Sequence, residues 1–236
     1  FLDTLMIQGM YQVKPPFPFT PGVESSGTVE AAGEGSNFKK GDRVCGTAEN
    51  GAFAEYCLAD NLGLVSVPDS VSLRLAAAIP VVYSTSHMAL KRRANLQRGE
   101  TMLVHAGAGG VGLAAIQIGK AWGAKVIATA GGPEKVAICL KYGADVAIDY
   151  NAEDFVEKVK TLTDGKGADV IYDSVGGDIT DKSLRCIAWD GRLLIVGFAS
   201  GRIAEIPANR LLLKNASAIG VFWGGHKRAN PAVIKP

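Results

Sequence analysis

The sequence has few cysteines, no excess of either charge and no long hydrophobic run. Its four cysteines lie far apart and form no C-x-x-C pair, which argues against a dense disulfide framework and a cysteine-based zinc ribbon: Cys45, Cys57, Cys139 and Cys186. The 25 basic side chains nearly balance the 23 acidic ones, so the net charge of +2 argues against a nucleic-acid partner. No apolar run approaches the roughly 18 residues of a membrane span, and the first residues show no secretory leader. We therefore expect a protein of a reducing compartment with neither membrane nor nucleic-acid partners.

Apolar residues and glycines are what the sequence does contain. Hydrophobic residues make up 47% of its 236 residues, which is enough for one or two buried cores. There are 29 glycines, well above the usual share of about 7%, so many positions need close backbone approach or a positive φ. The chain opens at Phe1 without an initiator methionine, inside an apolar run, and stops at Pro236 just after a basic stretch. We expect that both ends of a longer protein are missing.

Residues 1–81 are dense in turn signals such as Thr20-Pro21-Gly22 and Lys40-Gly41-Asp42. Between these turns lie short β-type runs, among them residues 26–30 and 53–57, and no long helical pattern. This part is predicted to be a compact all-β unit that ends near Val81.

From there the texture changes to helices alternating with strands. Residues 84–94 favour a helix, and further helices are predicted over residues 111–122, 133–142, 154–162 and 178–188. Short apolar strands are predicted over residues 102–105, 125–130, 146–150, 169–172, 192–196 and 218–222. Strands separated by helices of this length predict a parallel, doubly wound sheet that binds its ligand at the carboxyl ends of the strands.

One glycine-rich motif carries the chemistry. Gly107, Gly109 and Gly112 satisfy G-x-G-x-x-G between a predicted strand and a predicted helix. In that setting Gly107 permits the tight turn, Gly109 lets the backbone approach a pyrophosphate, and Gly112 allows close packing of helix on strand. The alternative is a turn that is merely rich in glycine. The setting strongly favours dinucleotide binding.

The end of the second strand of this unit selects the dinucleotide. An NAD site usually has Asp or Glu there, but this sequence has Thr129 followed by Ala130, Gly131 and Gly132. A 2′-phosphate would meet no like charge, and Lys135 could pair with it from the next helix. NADPH is therefore favoured over NADH. A solvated helix lysine is the other reading of Lys135.

These motifs do not stand alone. Together they resemble the zinc-independent, zeta-crystallin-like quinone oxidoreductases of the medium-chain dehydrogenase/reductase superfamily; the likeness rests on residues 18–29, 40–44, 51–56, 106–112 and 172–177. The resemblance implies an α/β protein with a GroES-like, β-rich catalytic domain over residues 1–81 and a doubly wound Rossmann domain over residues 82–222. Residues 223–236 would begin the return to the catalytic domain.

The resemblance also implies an NADPH cofactor and places residues around it. Thr85 would lie near the nicotinamide carboxamide, and Gly109, Gly110 and Val111 at the pyrophosphate. Lys135 and Tyr150 would lie around the adenosine phosphate, Ser174 and Val175 would border the cofactor, and Phe198 and Phe222 would lie near its nicotinamide end. Tyr150 could instead be a packed aromatic at a strand end, and Phe198 and Phe222 could belong to the core.

Two segments of the family pattern lie outside this sequence, and one motif differs. The Asn that usually precedes the position of Phe1 and the C-terminal return segment are not present. Zinc-dependent relatives carry Gly-His-Glu where this chain has Gly22, Val23 and Glu24. Without a ligand set for catalytic zinc, alcohol oxidation becomes unfavourable, whereas a conjugated acceptor can spread the developing negative charge itself.

Few side chains are candidates for acid–base work. His87, His105 and His226 have no placed carboxylate or metal partner in the sequence, so a structural role is favoured for all three. Tyr11, in a proline-rich loop, is a candidate for the substrate pocket, although it could equally be a packing residue. No catalytic residue is assigned.

The sequence thus predicts an NADPH-dependent oxidoreductase that transfers hydride to quinones or other carbonyl-conjugated double bonds. One alternative is an enoyl-thioester reductase, and another is a non-catalytic, crystallin-like NADPH-binding protein. The resemblance implies a homodimer paired through the edge of the last strand, residues 218–222. A cytoplasmic location is the default, with a mitochondrial one if a removed leader precedes the chain.

Overall fold

A computed structural model describes residues 1–234, apart from the side chains of Lys227 and Arg228. The chain divides into two units, one formed by Phe1–Ser84 with Gly224–Pro236 and the other by Thr85–Trp223. The last two residues of the expected return segment, 235 and 236, lie outside the described residues. No helix within residues 1–234 is both long and apolar enough to cross a bilayer.

The first unit is built on a small antiparallel sheet. After a short helix, α1 (Leu2–Ile7), come the strands β1 (Glu24–Thr28), β2 (Arg43–Thr47) and β3 (Leu64–Ser66), in that order across the sheet. A second short helix, α2 (Leu73–Ala76), begins at Ser72, whose hydroxyl accepts the Leu75 amide. Cys45, Val67 and Ala76 form the buried centre of this unit.

The strand predicted over residues 53–57 is wrong. The segment forms bends, although its alternation of apolar and polar residues resembles a strand. Its backbone is used differently, because the amides of Gly51, Ala52 and Phe53 donate to the carbonyls of residues 20–22. Phe53 and Tyr56 are exposed, so the alternation does not mark a buried face. The expectation of an all-β unit is also incomplete, since α1 and α2 belong to it.

Helix α3 (Pro80–His87) leads from the first unit into the second and continues as π-helical turns over Met88–Arg93. Pro80 fits the first turn of α3, where its missing N–H is not needed. The helix predicted over residues 84–94 is therefore real but begins earlier.

The second unit is a parallel sheet of six strands in the order β6-β5-β4-β7-β8-β9. The strands are β4 (Thr101–Val104), β5 (Lys125–Ala130), β6 (Val146–Asp149), β7 (Ala168–Asp173), β8 (Ile187–Ile195) and β9 (Ser217–Gly220). The helices between them are α4 (Gly110–Ala121), α5 (Pro133–Lys141), α6 (Phe155–Leu162), α7 (Asp178–Ser183) and α8 (Ala208–Leu212). A last helix, α9 (His226–Ala229), belongs to the first unit.

Apolar side chains cover both faces of this sheet. Every residue of β4 and β7 is buried, as expected for the central strands of a parallel sheet. Met102 and Val104 point into one core cluster and Leu103 into the other, following the two-residue period of a strand. The predicted α/β fold with a GroES-like unit and a Rossmann unit is confirmed.

Two predicted elements of this unit, the helix over residues 178–188 and the strand over residues 192–196, have other bounds in the structure, and one helix is additional. The helix expected over residues 178–188 ends at Ser183, because β8 already begins at Ile187. Helix α8 was not predicted. Leu212 of α8 is exposed and Pro207 precedes the helix, so the sequence shows no amphipathic pattern that would predict it.

Candidate dinucleotide-binding site

The candidate site residues of the second unit follow the carboxyl ends of parallel strands. In this sheet β4 pairs with β5 on one side and with β7 on the other, so the strand order reverses between β4 and β7. A crevice forms at such a switch point and is where open α/β sheets bind ligands. The glycine-rich loop follows β4 and the Ser174-Val175 segment follows β7, which places both at this point.

Steric limits explain the glycines of the loop. A Cβ on Gly107 would lie 2.9 Å from both Ala128 Cβ and Cys139 Sγ. A Cβ on Gly112 would lie 2.3 Å from the Ala106 carbonyl oxygen. The tight turn expected at Gly107 has its positive φ at Ala106 instead, at 49°. Gly107 is therefore required by the close packing beneath the loop.

The same loop opens helix α4 towards the crevice. Gly109 occupies the N-cap position with an extended backbone, and no side chain caps the helix. The first amides of a helix have no partner within it, and the helix dipole adds positive potential there. The Gly109 amide donates to the Ala106 carbonyl at 2.9 Å, so Gly110 and Val111 provide the backbone donors for an anionic group such as a pyrophosphate.

A buried hydroxyl connects α3 to this loop. Ser86 Oγ donates to the Val111 carbonyl at 3.0 Å and lies 2.9 Å from the Tyr172 hydroxyl. Since the Ser86 proton is already given to Val111, Tyr172 is the donor in the second bond. Thr85, expected near the nicotinamide carboxamide, is thus held on α3 beside the first turn of α4.

At the end of β5 the chain has Ala130, Gly131 and Gly132 instead of the Asp or Glu that is usual in an NAD site. The Asp149 carboxylate accepts the amides of Gly132 at 2.9 Å and Asn151 at 3.0 Å, so it fixes the turn instead of facing outwards. A Cβ on Gly131 would lie 2.6 Å from the Tyr150 hydroxyl. Tyr150 is 48% exposed and covers this glycine. Lys135 is exposed on α5, and no residue within 1–234 forms a salt bridge with it.

Thr129, unlike Tyr150 and Lys135, is buried. Its side chain is 2% exposed, and its Oγ1 lies 2.9 Å from His105 Nδ1. On the other side His105 Nε2 lies 2.8 Å from Ser183 Oγ, which donates its proton to the Ile179 carbonyl. Ser183 must therefore accept from Nε2–H, and neutral His105 accepts from Thr129 at Nδ1. Burial lowers the pKa of His105 to about 4, which keeps the ring neutral.

Two loops lie side by side at the ends of β7 and β8. The buried Asp173 carboxylate accepts the amides of Val175 and Gly176 and the hydroxyl of Thr180. Phe198, in the second loop, is half-buried and packs against Gly176, where a Cβ would lie 2.7 Å from the Phe198 ring. The structure thus brings Ser174, Val175 and Phe198 together.

The remaining candidates belong to other segments of the chain. Phe222 follows β9, at the edge of the sheet, and is 51% exposed. Tyr11 belongs to the first unit, where burial raises the pKa of its hydroxyl. Glu24, also in that unit, accepts the Val81 amide at 2.8 Å, and burial raises the pKa of its carboxyl.

Sequence reasoning missed Ser86 and Asp173 as organisers of the site. Asp173 had a readable signal, since an Asp at a strand end followed by Gly176 and Gly177 is typical of a side chain that bonds the next amides. Ser86 had none, because its partner Tyr172 lies 86 residues away.

Comparisons with known proteins agree with this geometry. An alcohol dehydrogenase GroES-like domain model matches residues 1–69, and a zinc-binding dehydrogenase model matches residues 110–235. A quinone oxidoreductase-like protein 2 homolog of Nematostella vectensis is 46% identical over 238 residues, which cover 100% of this chain and 65% of that protein. The chain thus spans about two thirds of the length of such relatives.

Solved structures are similar as well. A quinone oxidoreductase of Escherichia coli complexed with NADPH is 33% identical, with a TM-score of 0.91, and the match covers 99% of this chain and 72% of that one. The CurK enoyl reductase is 28% identical with a TM-score of 0.87, and covers 98% and 72%. The expected resemblance is confirmed: the chain belongs to the quinone oxidoreductases of the medium-chain dehydrogenase/reductase superfamily.

Proposed function

We propose that this protein is an NADPH-dependent oxidoreductase that reduces quinones or other carbonyl-conjugated double bonds. The observation that carries the proposal is the glycine-rich loop at the switch point of the sheet, next to a β5 end where Ala130, Gly131 and Gly132 replace the usual Asp or Glu and Lys135 follows on α5. The similarity to a quinone oxidoreductase complexed with NADPH supports it.

The residues present fit a dinucleotide phosphate. Gly107 and Gly112 leave no room for a side chain between the loop and its supports, so the backbone itself is the surface offered to a ligand. The amides of Gly110 and Val111 would donate to the pyrophosphate, which would lie against Gly109, whose own amide is bonded to the Ala106 carbonyl. The Lys135 ammonium would pair with the 2′-phosphate, and the exposed Tyr150 hydroxyl would border it.

At the other end, Ser174, Val175 and Phe198 would border the nicotinamide. Thr85 would bond its carboxamide, with Phe222 further along the same edge and Tyr11 in the substrate pocket. When bound, NADPH supplies a hydride to the conjugated acceptor. The chain's part is to hold donor and acceptor carbons at attack distance, while water supplies the proton.

We propose that the reaction needs no zinc. Val23 stands where zinc-dependent relatives place a histidine, and the Glu24 carboxylate is engaged by the Val81 amide. Within residues 1–234, no three His, Cys, Asp or Glu side chains are grouped to hold a metal ion. A conjugated acceptor can delocalise the negative charge that zinc stabilises on a simple carbonyl.

The similarity to the CurK enoyl reductase favours one second candidate, reduction of an enoyl thioester. Both reactions use the same cofactor end and differ in the acceptor. A pocket that accepts a long thioester arm would favour this alternative.

Stopped-flow oxidation of NADPH bound to the full-length protein separates these functions. Fast oxidation by 9,10-phenanthrenequinone supports quinone reduction, and faster oxidation by a crotonyl thioester supports the enoyl alternative. If NADPH binds and neither acceptor oxidises it, the protein is a non-catalytic, crystallin-like NADPH-binding protein.

We further propose that the protein is a cytoplasmic homodimer. The edge strand β9 pairs with no strand but β8 among residues 1–234, and apart from the Gly220 carbonyl, which accepts a hydrogen bond from Arg93 Nε at 3.1 Å, we assign its outer side to pairing with a second subunit. Its compartment remains a prediction from composition.

A further inference from the structure

We propose that Asp173 is a positioning residue for the nicotinamide end of the cofactor. Its buried carboxylate fixes loop A, residues 174–177, and loop A in turn fixes loop B, residues 198–202. The inference rests on the proposed function, which assigns residues of loops A and B to the nicotinamide end of the cofactor.

The carboxylate of Asp173 holds loop A by three hydrogen bonds. Oδ1 accepts the Val175 amide at 2.8 Å and the Gly176 amide at 3.0 Å, and Oδ2 accepts the Thr180 hydroxyl at 2.5 Å. Asp173 is only 2% exposed, and within the described chain it forms no salt bridge. These donors, rather than a cation, therefore offset the cost of burying the carboxylate.

Loop A transmits this geometry to loop B. The Ser174 carbonyl accepts the Ala199 amide at 3.1 Å, and the Val175 carbonyl accepts the Ser200 amide at 2.9 Å. Val175 is therefore bonded on both sides, by Asp173 through its amide and by loop B through its carbonyl.

Close packing reinforces the coupling. Gly176 has a φ of 75°, and a Cβ there would lie 2.7 Å from Phe198 Cδ1 and 2.9 Å from the Arg202 carbonyl oxygen. Loop A cannot rotate at Gly176 without moving Phe198. Removal of the carboxylate would release Val175 and Gly176 first and Phe198 with them.

The same strand offers a matched control at its opposite end. Asp169 is the second residue of β7 and Asp173 is the last, and both are buried. Asp169 Oδ2 accepts the Thr101 amide at 2.8 Å, and both carboxylate oxygens pair with the Lys166 ammonium. Asp169 thus does comparable structural work at the amino edge of the sheet, away from loops A and B.

The test compares Asp173→Ala, Asp173→Asn and Asp169→Ala in the full-length protein. In Asp173→Ala we expect faster amide hydrogen exchange in both loops without cofactor, and hydride transfer to 9,10-phenanthrenequinone about 10- to 100-fold slower, with a much smaller change in NADPH affinity. Asp173→Asn should restore most of the rate, because an amide oxygen can still accept from Val175 and Gly176. Asp169→Ala should lower the melting temperature and leave loop exchange and the rate unchanged.

If Asp173→Ala does not fold, Thr180→Val and Thr180→Ser make the same comparison, with slow transfer expected only in the valine variant. The inference is overturned if the Asp173 and Asp169 variants change stability alike and neither changes loop exchange or hydride transfer. A wild-type protein that binds no NADPH overturns the proposed function and, with it, the cofactor role given to Asp173. A wild-type protein that turns over beside unaffected Asp173 and Thr180 variants overturns the inference alone.

Discussion

The hydrogen bonds of the buried His105 side chain determine its tautomer and keep it neutral. Its two ring nitrogens bond Thr129 on β5 and Ser183 on α7, and its ring contacts Phe155 edge to face. Because Ser183 gives its proton to Ile179, only the Nε2–H tautomer satisfies every partner. The histidine therefore links two elements of the Rossmann unit as a neutral group, in line with the structural role expected from the sequence.

This assignment predicts a pH dependence of stability. Burial lowers the pKa of folded His105 to about 4, below its ordinary 6.5, so between these values the unfolded chain binds a proton that the folded chain does not. The free energy of unfolding should fall as the pH drops through this window, by about 2 kcal/mol at about pH 5. Urea unfolding from about pH 7.5 to 5 measures the loss. His105→Gln should remove this component, whereas His87→Gln should retain it; an equal loss in His105→Gln would contradict the assignment.

At the residue scale, the role of the glycine motif could be predicted from the sequence, whereas hydrogen bonds between distant side chains could not. The spacing of Gly107, Gly109 and Gly112 indicated a dinucleotide loop because the pattern is local. The environment of Thr129 was not readable, since its partner His105 lies 24 residues away. Whether Thr129 contacts a cofactor stays a prediction; in the structure its hydroxyl bonds His105.

At the scale of elements, Ser86 joins three of them. Its hydroxyl connects α3 to the first turn of α4 and to β7, through the Val111 carbonyl and the Tyr172 hydroxyl. Ser86 and Tyr172 are fully buried. Burial also raises the pKa of Tyr172 far above its ordinary value, so the hydroxyl keeps its proton for Ser86.

Truncation of this hydroxyl should be costly. Ser86→Ala removes the acceptor of the buried Tyr172 hydroxyl and one donor to the Val111 carbonyl, and we expect the free energy of unfolding to fall by about 1–3 kcal/mol. A double-mutant cycle with Tyr172→Phe should show a coupling energy of at least about 0.5 kcal/mol, because both variants break the same hydrogen bond, the one between Ser86 and Tyr172. Ser84→Ala, on the same helix, is the control and should change stability little. Additive effects of Ser86→Ala and Tyr172→Phe would speak against a shared bond.

Which elements could be predicted follows from where their signals lie. The parallel strands were predictable, because buried apolar runs such as β4 and β7 are followed by glycine-containing turns. Residues 53–57 were mistaken for a strand, because alternation in the sequence cannot show that their amides bond residues 20–22. The end of α7 was misplaced, because β8 begins within a continuous apolar pattern and no glycine or proline separates them.

At the scale of the molecule, β9 decides the proposed assembly. The Val221 amide donates to Ile195 of β8, so in a parallel ladder the amides of Ala218 and Gly220 point away from β8. Ala218 is exposed, and proline is tolerated where an edge N–H faces outwards. This outer edge is the surface proposed for dimer pairing.

Ala218→Pro should therefore block assembly without unfolding the protein. We expect the wild type to be a dimer by light scattering and the variant a monomer with a nearly unchanged circular dichroism spectrum. Ala218→Thr keeps the amide and should remain a dimer. A dimeric proline variant would place the subunit interface elsewhere.

The central claim is a preference for NADPH over NADH. It rests on the absence of Asp or Glu at the end of β5, on Lys135 and on the glycine-rich loop. A charged hydrogen bond to a 2′-phosphate contributes roughly 1.5–3 kcal/mol, so NADPH should bind at least about tenfold more tightly than NADH. Lys135→Ala should remove most of that difference, and Lys141→Ala, near the other end of α5, should not.

The most direct test is a calorimetric titration of the full-length protein with NADPH and with NADH. The account predicts tight binding of NADPH and clearly weaker binding of NADH, with the preference lost in Lys135→Ala. Equal affinity for the two cofactors, or binding of neither, would contradict it.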